Sequence, residues 1–192
     1  EEIKKRGGIK VAFVSGPACS GKKSSGIKLC AELKILGFTP IMISLDDYRT
    51  KGQKGVSLES LDVDLLRTHV NDLLDGKEVV MPRYNFITGI SERMEKPLKI
   101  QKNDVLIIEG IHGLNEKLSK DLPKECKYKI YVSALTQLAI DQHNRIPTTD
   151  GRLIRRIVRD AQFRGVDARS TIARWHSVRA GEERNIFPYQ EE

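Results

Sequence analysis

Long apolar runs are missing from this chain: nowhere do about 18 apolar residues follow one another, so we expect no membrane-spanning helix, and no secretory leader is visible. Cysteine is scarce. The three present, Cys19, Cys30 and Cys126, are odd in number and widely spaced, which excludes a disulfide framework and a paired-cysteine metal site and suits reduced thiols in a cytoplasmic protein. Internal repeats and low-complexity segments are also absent, which argues against solenoid and disordered classes. Lysine disappears from the last third: from Ile130 onward there is none, yet there are ten arginines. Arginine is the cation whose rigid fork grips phosphate oxygens two at a time.

What is present is a chain of 192 residues with 39% hydrophobic and 31% charged residues, the size and balance of a single domain with a real core. Its formal net charge of +7 favours a polyanionic partner, either nucleic acid or the phosphates of a nucleotide.

The stretch Val11 to Ser24, VAFVSGPACSGKKS, joins an apolar strand to a glycine-rich turn and a helix start. It fits the pattern G-x-x-x-x-G-K. Gly16 and Gly21 let the backbone turn its N–H groups inward, the following helix adds partial positive charge, and Lys22 reaches the outer phosphates, so a nucleoside triphosphate is the natural ligand. The Ser or Thr that should follow the lysine and face Mg2+ is replaced by Lys23, with Ser24 one residue late. Successive helical residues point about 100° apart, so Ser24 is a poor substitute in direction.

Residues 1–9 read as a charged lead-in from a longer polypeptide. After the strand Lys10 to Ser15, a helix is expected from Gly21 to about Leu36, because Leu29, Cys30, Leu33 and Leu36 share a face and Gly37 supplies a stop. Pro40 to Leu45 is a second buried-type strand that delivers Asp46 and Asp47 to its carboxyl end, the edge at which open α/β sheets bind ligands. Thr50 to Val56 reads as a mobile loop. Leu58, Leu61, Leu65, Leu66 and Leu73 trace a helix that ends at Gly76, with His69 near its apolar face as a packing or surface residue. Val79 to Met81 and Ile90 to Ile100 read as extended pieces flanking Pro82 to Phe86, an excursion from the sheet. On it Tyr84 and Phe86 would face the same way, as a platform for a flat base or as ordinary core. Val105 to Ile108 is a strongly apolar strand ending in Glu109, placed to hold Mg2+ or its water shell. A strand Tyr128 to Val132 and a short helix from Leu135 to about His143 complete the approach to the arginine-rich region.

That region, TTDGRLIRRIVRDAQFRG from Thr148, puts Arg152, Arg155, Arg156 and Arg159 on one helical face and Ile154, Ile157, Val158 and Ala161 on the other. A solvated helix mixes acids among its bases. Here only Asp160 stands at the edge of a cationic stripe that is suited to closing over phosphates.

Taken together, GPACSGKKS, SLDDY, PRYNF, IIEGIHGLN, ALTQLAIDQHNR, TTDGRLIRRIVRDAQFRG and GEERNIFPYQEE resemble the uridine kinase and phosphoribulokinase family over nearly the whole chain. The likeness is greatest to the uridine kinase-like nucleoside kinases. The resemblance implies an α/β P-loop kinase fold: a five-stranded parallel sheet with helices on both faces and an arginine-rich lid over about residues 145–170, one domain across residues 1–192 that stops short of the family's last strand and helix. It implies an ATP- and Mg2+-dependent transfer of phosphate to the 5'-hydroxyl of a pyrimidine nucleoside, uridine or cytidine. Asp46 would take the proton of that hydroxyl. Lys22, Arg156 and Arg159 would stabilise the transferring phosphate. Gly16, Cys19, Ser20, Gly21, Lys22, Lys23, Ser24 and Arg152 would bind the nucleotide phosphates, and Glu109 with Ser24 would serve the metal. Tyr84, Phe86 and Arg164, beside Asp46, would hold the nucleoside.

Two departures from the family pattern stand out. Lys23 occupies the place of the metal-binding hydroxyl, and Gly55-Val56-Ser57-Leu58 replaces the aromatic, acid and proline that usually precede the next helix, so that Glu59 becomes a candidate for the ribose. These departures leave open a second reading, a nucleotide-binding regulatory module with impaired catalysis. A third, an arginine-rich RNA-binding domain, ranks last because it gives the acids at the strand ends no task and no aromatics interleave with the arginines. We expect small-molecule partners, a nucleoside and ATP, no membrane, and a homo-oligomer as one assembly state.

Overall fold

A computed structural model describes residues 2–50, 56–86, 88–134 and 138–190. Four parallel strands form the central sheet: β1 (Val11–Ser15), β2 (Thr39–Ser44), β5 (Asp104–Glu109) and β6 (Lys127–Tyr131), in the order β2-β5-β1-β6. The two central strands, β1 and β5, are buried at every position. This is why both read as unbroken apolar runs: a parallel sheet covered on both faces leaves no position for alternation with polar residues.

Side-chain alternation along β1 splits the core in two. Val11 and Phe13 join Ile43, Leu106 and Ile108 under α3 (Val63–Leu74), while Ala12 and Val14 join Val105 and Ile107 under α2 (Lys22–Ile35), where Leu33 is buried. The lead-in is part of the second core: Glu2–Arg6 forms a short helix, α1, whose Ile3 is buried against it.

Among the described residues the parallel sheet has four strands, one fewer than expected. The remaining extended pieces pair with each other. β3 (Pro82–Asn85) and β4 (Ile90–Arg93) form an antiparallel hairpin, and the sequence of β4, exposed at all four positions, has no apolar face to offer a sheet covered on both sides. The helix expected over 135–143 is corrected where it is described, residues 135–137 lying outside the described chain. β7 (Leu138–Ala139) pairs antiparallel with β8 (Arg145–Ile146), and the Asp141 carboxylate accepts from the N–H groups of His143 and Asn144, an Asx turn that competes with helix. The helix expected from Leu58 starts later. Leu58–Ser60 is a single 3-10 turn, and α3 begins at Val63 because Asp62 caps it, accepting from Leu65 N–H at 2.9 Å. Most of the loop expected over 50–56 lies outside the described residues.

After a single helical turn, α4 (Glu116–Ser119), the arginine-rich region forms α5 (Thr148–Phe163), followed by α6 (Ala168–Asn185). Helix α5 presents its faces in an unusual way: Arg152 and Asp160 are buried, whereas Ile154 and Val158 are half exposed. The cationic face is the one turned toward the molecule.

Candidate active site

The phosphate loop connects β1 to α2. At Gly16, with φ +147, a Cβ would stand 2.3 Å from the Val132 carbonyl oxygen and 2.9 Å from Ser20 Oγ, so no side chain fits. Cys19 adopts a left-handed φ of 59, a conformation that costs a non-glycine residue energy and recurs where the surrounding structure enforces a functional backbone path. Ser20 Oγ is buried inside this turn without a hydrogen-bond partner among the described residues. Lys22, the first residue of α2, is buried and folds back so that Nζ donates to the Pro17 carbonyl at 3.0 Å. Burial pushes its pKa down, opposed by the negative fields of Glu109 and Asp46.

Those two acids arrive by strand register. Ser44 at the end of β2 pairs with Glu109 at the end of β5, and Val14 of β1 pairs with the same Glu109 from the other side. Asp46 follows on the 3-10 turn Leu45–Tyr48, where Ser44 Oγ accepts from its N–H. A Cβ at Gly110 would come within 2.5 Å of Leu45, so glycine there lets the loop after β5 close onto the turn that carries Asp46. Arg49 Nε donates to Asp46 Oδ1 at 2.9 Å and sets the orientation of that carboxylate. Asp47 points elsewhere: its Oδ1 accepts from the Tyr84 N–H at 3.0 Å and ties the β3–β4 hairpin to the sheet edge. Burial raises the pKa of Glu109, opposed first by Lys22, and also raises that of Asp47, opposed first by the bond from Tyr84; Lys23 lowers both in turn. Lys22, Lys23, Asp46, Asp47 and Glu109 therefore form one electrostatic cluster.

The hairpin places Tyr84 and Phe86 edge to face, with ring centroids 5.1 Å apart and planes at 82°. The guanidinium of Arg164 lies 4.3 Å from the centre of the Phe86 ring, joining the end of α5 to the hairpin. Asp160 organises the remaining arginines. Its carboxylate accepts from Arg159 Nη2 at 2.7 Å and Nε at 2.9 Å, and stands 3.4 Å from Arg156 Nε and 3.6 Å from Arg164 Nη1. Arg159 lies within electrostatic range of Lys22, and Arg156 within that of Cys19, so both stand on the side of the molecule that carries the phosphate loop. Arg152 is engaged differently: its Nε donates to the Ala18 carbonyl at 2.9 Å and its Nη2 pairs with Glu182 of α6. Arg155 is exposed, close to Gly21.

Three contributors escaped the sequence reading. Glu182 meets the phosphate loop across 164 positions of sequence; it lies in the stretch GEERNIFPYQEE, whose residues give no sign of that contact. Arg49 and the central role of Asp160 had a signal, each being the lone opposite charge beside a carboxylate pair or an arginine stripe.

The donor set suits Mg2+. Glu109 supplies hard carboxylate oxygens of the kind Mg2+ takes, and among the described residues no group of three or more acids, histidines or cysteines is gathered to hold a metal ion by itself. Mg2+ is held in this way by one or two carboxylates while keeping waters and nucleotide phosphates as its other ligands. Ser24 stands exposed on the first turn of α2, beside the exposed Lys23.

The model described as the Phosphoribulokinase / Uridine kinase family matches residues 10–191. A uridine kinase of Mycoplasma genitalium is 33% identical over 183 residues, which cover 89% of this chain and 75% of that protein. The uridine kinase of Macrococcus caseolyticus is 30% identical over 176 residues, covering 86% of this chain and 75% of its own. In fold, the chain is similar to a crystal structure from Silicibacter sp. TM1040, provisionally named a fructose transport system kinase. That likeness has a TM-score of 0.68 at 17% identity and covers 96% of this chain and 92% of the other.

Proposed function

The chain belongs to the phosphoribulokinase and uridine kinase family, and from that premise we propose that it transfers the γ-phosphoryl group of ATP to the 5'-hydroxyl of a pyrimidine nucleoside, uridine or cytidine. The observation that carries the proposal is the convergence on Lys22 of Asp46 and Glu109 from the ends of two strands and of Arg159 from α5. An anion cradle, an acid beside it, a second acid for the metal and arginines over the phosphates are the parts that phosphoryl transfer requires.

In this reading Asp46, oriented by Arg49, accepts the proton of the 5'-hydroxyl. The freed oxygen attacks the γ-phosphorus, the bond from that phosphorus to the β–γ bridging oxygen breaks, and ADP leaves with the bridging electrons. Lys22, Arg156 and Arg159 neutralise the charge on the transferring oxygens, where fixed cations in a dry site act strongly. Gly16, Cys19, Ser20 and Gly21 turn backbone N–H groups toward the β-phosphate, and the orphaned Ser20 hydroxyl finds a partner there. Arg152 braces this loop through Ala18. Tyr84, Phe86 and Arg164 receive the base. Glu109 would hold Mg2+ or its water shell, and the ion would supply positive charge to offset that of the nucleotide phosphates. Lys23 contributes a fixed positive charge at the same place, and Ser24 is left to bind through water. The three free thiols suit a cytoplasmic enzyme.

The test is direct detection of UMP and CMP from uridine and cytidine with ATP and Mg2+. The expected result is stoichiometric formation of nucleoside monophosphate and ADP. Normal ATP binding with no transfer to any nucleoside would favour the impaired regulatory module instead.

A further inference from the structure

The hairpin that carries Tyr84 and Phe86 has little packing to hold it. β4 is exposed at all four positions, and a two-stranded ribbon is marginal by itself, so its place is set by the few bonds that reach it. Those bonds converge on the 3-10 turn Leu45–Tyr48. Met94 N–H donates to the Met81 carbonyl at 2.9 Å, and because hydrogen-bonded and non-hydrogen-bonded pairs alternate along an antiparallel ladder, Tyr84 and Ser91 form a pair whose backbone groups point away from each other. Asp47 takes what that leaves. Its Oδ1 accepts from the outward Tyr84 N–H at 3.0 Å, and its carbonyl accepts from the Ser91 hydroxyl at 3.3 Å, so one residue holds both strands. At the foot of the hairpin, Tyr48 Oη lies in hydrogen-bond contact with Met81 Sδ at 3.7 Å and with His69 Nδ1 at 3.1 Å, which ties the same turn to α3.

Asp46 and Asp47 are neighbours in the chain, yet their carboxylates serve different partners, Arg49 and the hairpin. Arg164 relates the two ends of this bracket: its guanidinium lies 4.3 Å from the centre of the Phe86 ring and within electrostatic range of Asp46. We infer that Asp47 is a positioning residue which, by holding the Tyr84 N–H, fixes the reach from the Tyr84 and Phe86 rings to the Asp46 carboxylate, and so selects acceptors by the distance between their ring and their reacting hydroxyl. This assignment rests on the nucleoside reading given above. A carboxylate suits the task, because an ionised acceptor makes a stronger bond to a backbone N–H than a neutral one, and Arg83 and Lys23 favour the ionised form that burial opposes. Asp47 itself touches no reacting atom and acts through Tyr84.

The test compares steady-state phosphorylation of uridine and of its homologue with one more methylene before the terminal hydroxyl, by the full chain and its Asp47→Ala and Asp47→Asn variants, at saturating ATP and Mg2+. The unaltered protein is expected to prefer uridine by about tenfold or more in kcat/KM, the scale of one methylene. Asp47→Ala should raise the KM for uridine by about fivefold or more, leave the KM for ATP within about twofold, and shrink the preference by about threefold or more, the scale of one lost hydrogen bond. Asp47→Asn, whose amide oxygen still accepts from Tyr84, should keep most of the preference. A homologue taken as well as uridine by the unaltered protein, an undiminished preference in the Ala variant, or an Asn variant impaired as deeply as Ala overturns the assignment and leaves the nucleoside reading standing. If the Ala variant fails to fold, exchange of the Tyr84 amide hydrogen decides, read in the unaltered protein and in Asp47→Asn without substrate. Protection in both supports the assignment, and exchange at the rate of an open chain in either overturns it. Absence of uridine phosphorylation by the unaltered protein overturns both readings.

Discussion

Arg152 of α5 and Glu182 of α6 form an ion pair buried almost completely, and both grip the same residue of the phosphate loop. Arg152 Nε donates to the Ala18 carbonyl at 2.9 Å, and Glu182 Oε1 accepts from the Ala18 N–H at 2.7 Å. Arg179 adds a contact to Glu182 Oε2 at 3.3 Å, and the Arg152 guanidinium lies 5.4 Å from the centre of the Trp175 ring. The two C-terminal helices thereby hold the turn between β1 and α2, and the arginine helix is anchored at its first turns while its far end carries Arg156, Arg159 and Arg164.

Removing one partner of such a pair leaves an uncompensated buried charge. Glu182→Ala is expected to cost about 3–5 kcal/mol, read from urea unfolding, and to weaken ATP binding by calorimetry as the Ala18 turn loses its anchor. Unchanged stability would show that the pair is dispensable.

Asp46→Asn keeps the size of the side chain and its place beside Arg49 but cannot take a proton. Turnover should fall by about 10²–10⁴-fold with ATP affinity little changed. Loss of both together would count against Asp46 as the base.

Lys23 stands in the field of Glu109 and Asp47, where in the proposed mechanism it would compete with a divalent cation. Lys23→Thr should lower the Mg2+ concentration that gives half-maximal UMP formation by about two- to fivefold, the scale of an exposed charge contact. A higher Mg2+ requirement in the variant would mean that the ammonium assists the metal.

The His112 imidazole titrates near 6.5 when exposed and at about 4 in the folded protein. Its folded pKa lies below the unfolded one, so between these values the unfolded chain binds more protons. The stabilising contribution is complete above pH 6.5 and is lost as the pH falls toward 4, by about 3 kcal/mol at the limit. Urea midpoints at pH 7 and pH 5 should differ more for the unaltered protein than for His112→Leu; equal differences would place the titration elsewhere.

The family, the phosphate loop and the two acids at strand ends were legible in the sequence, because each depends on neighbours in the chain. Glycines at fixed spacing after an apolar run specify a turn, and an acid that ends a buried strand must emerge at the sheet's carboxyl edge. The hairpin at Pro82 was legible as an excursion. The start of α3 was not: the leucine spacing continues past Asp62, and only the cap at Asp62 decides where the helix begins. The 135–143 segment failed for a related reason, the Asp141 side chain offering the backbone a turn in place of a helix.

What the sequence determined by itself is therefore the elements that carry the candidate site residues Lys22, Asp46 and Glu109. Only the tertiary structure decided that they meet, because β5 lies between β2 and β1 and one register brings Glu109 level with both Ser44 and Val14. Periodicity divided α5 into a cationic and an apolar face, but it carries no sign for which face turns inward. That choice belongs to partners far along the chain: Glu182 and Ala18 receive Arg152, Phe86 receives Arg164, and Asp160 gathers the rest. Turning arginines inward and isoleucines outward costs on both counts and is offset only where such acceptors already wait, and their positions are properties of the fold.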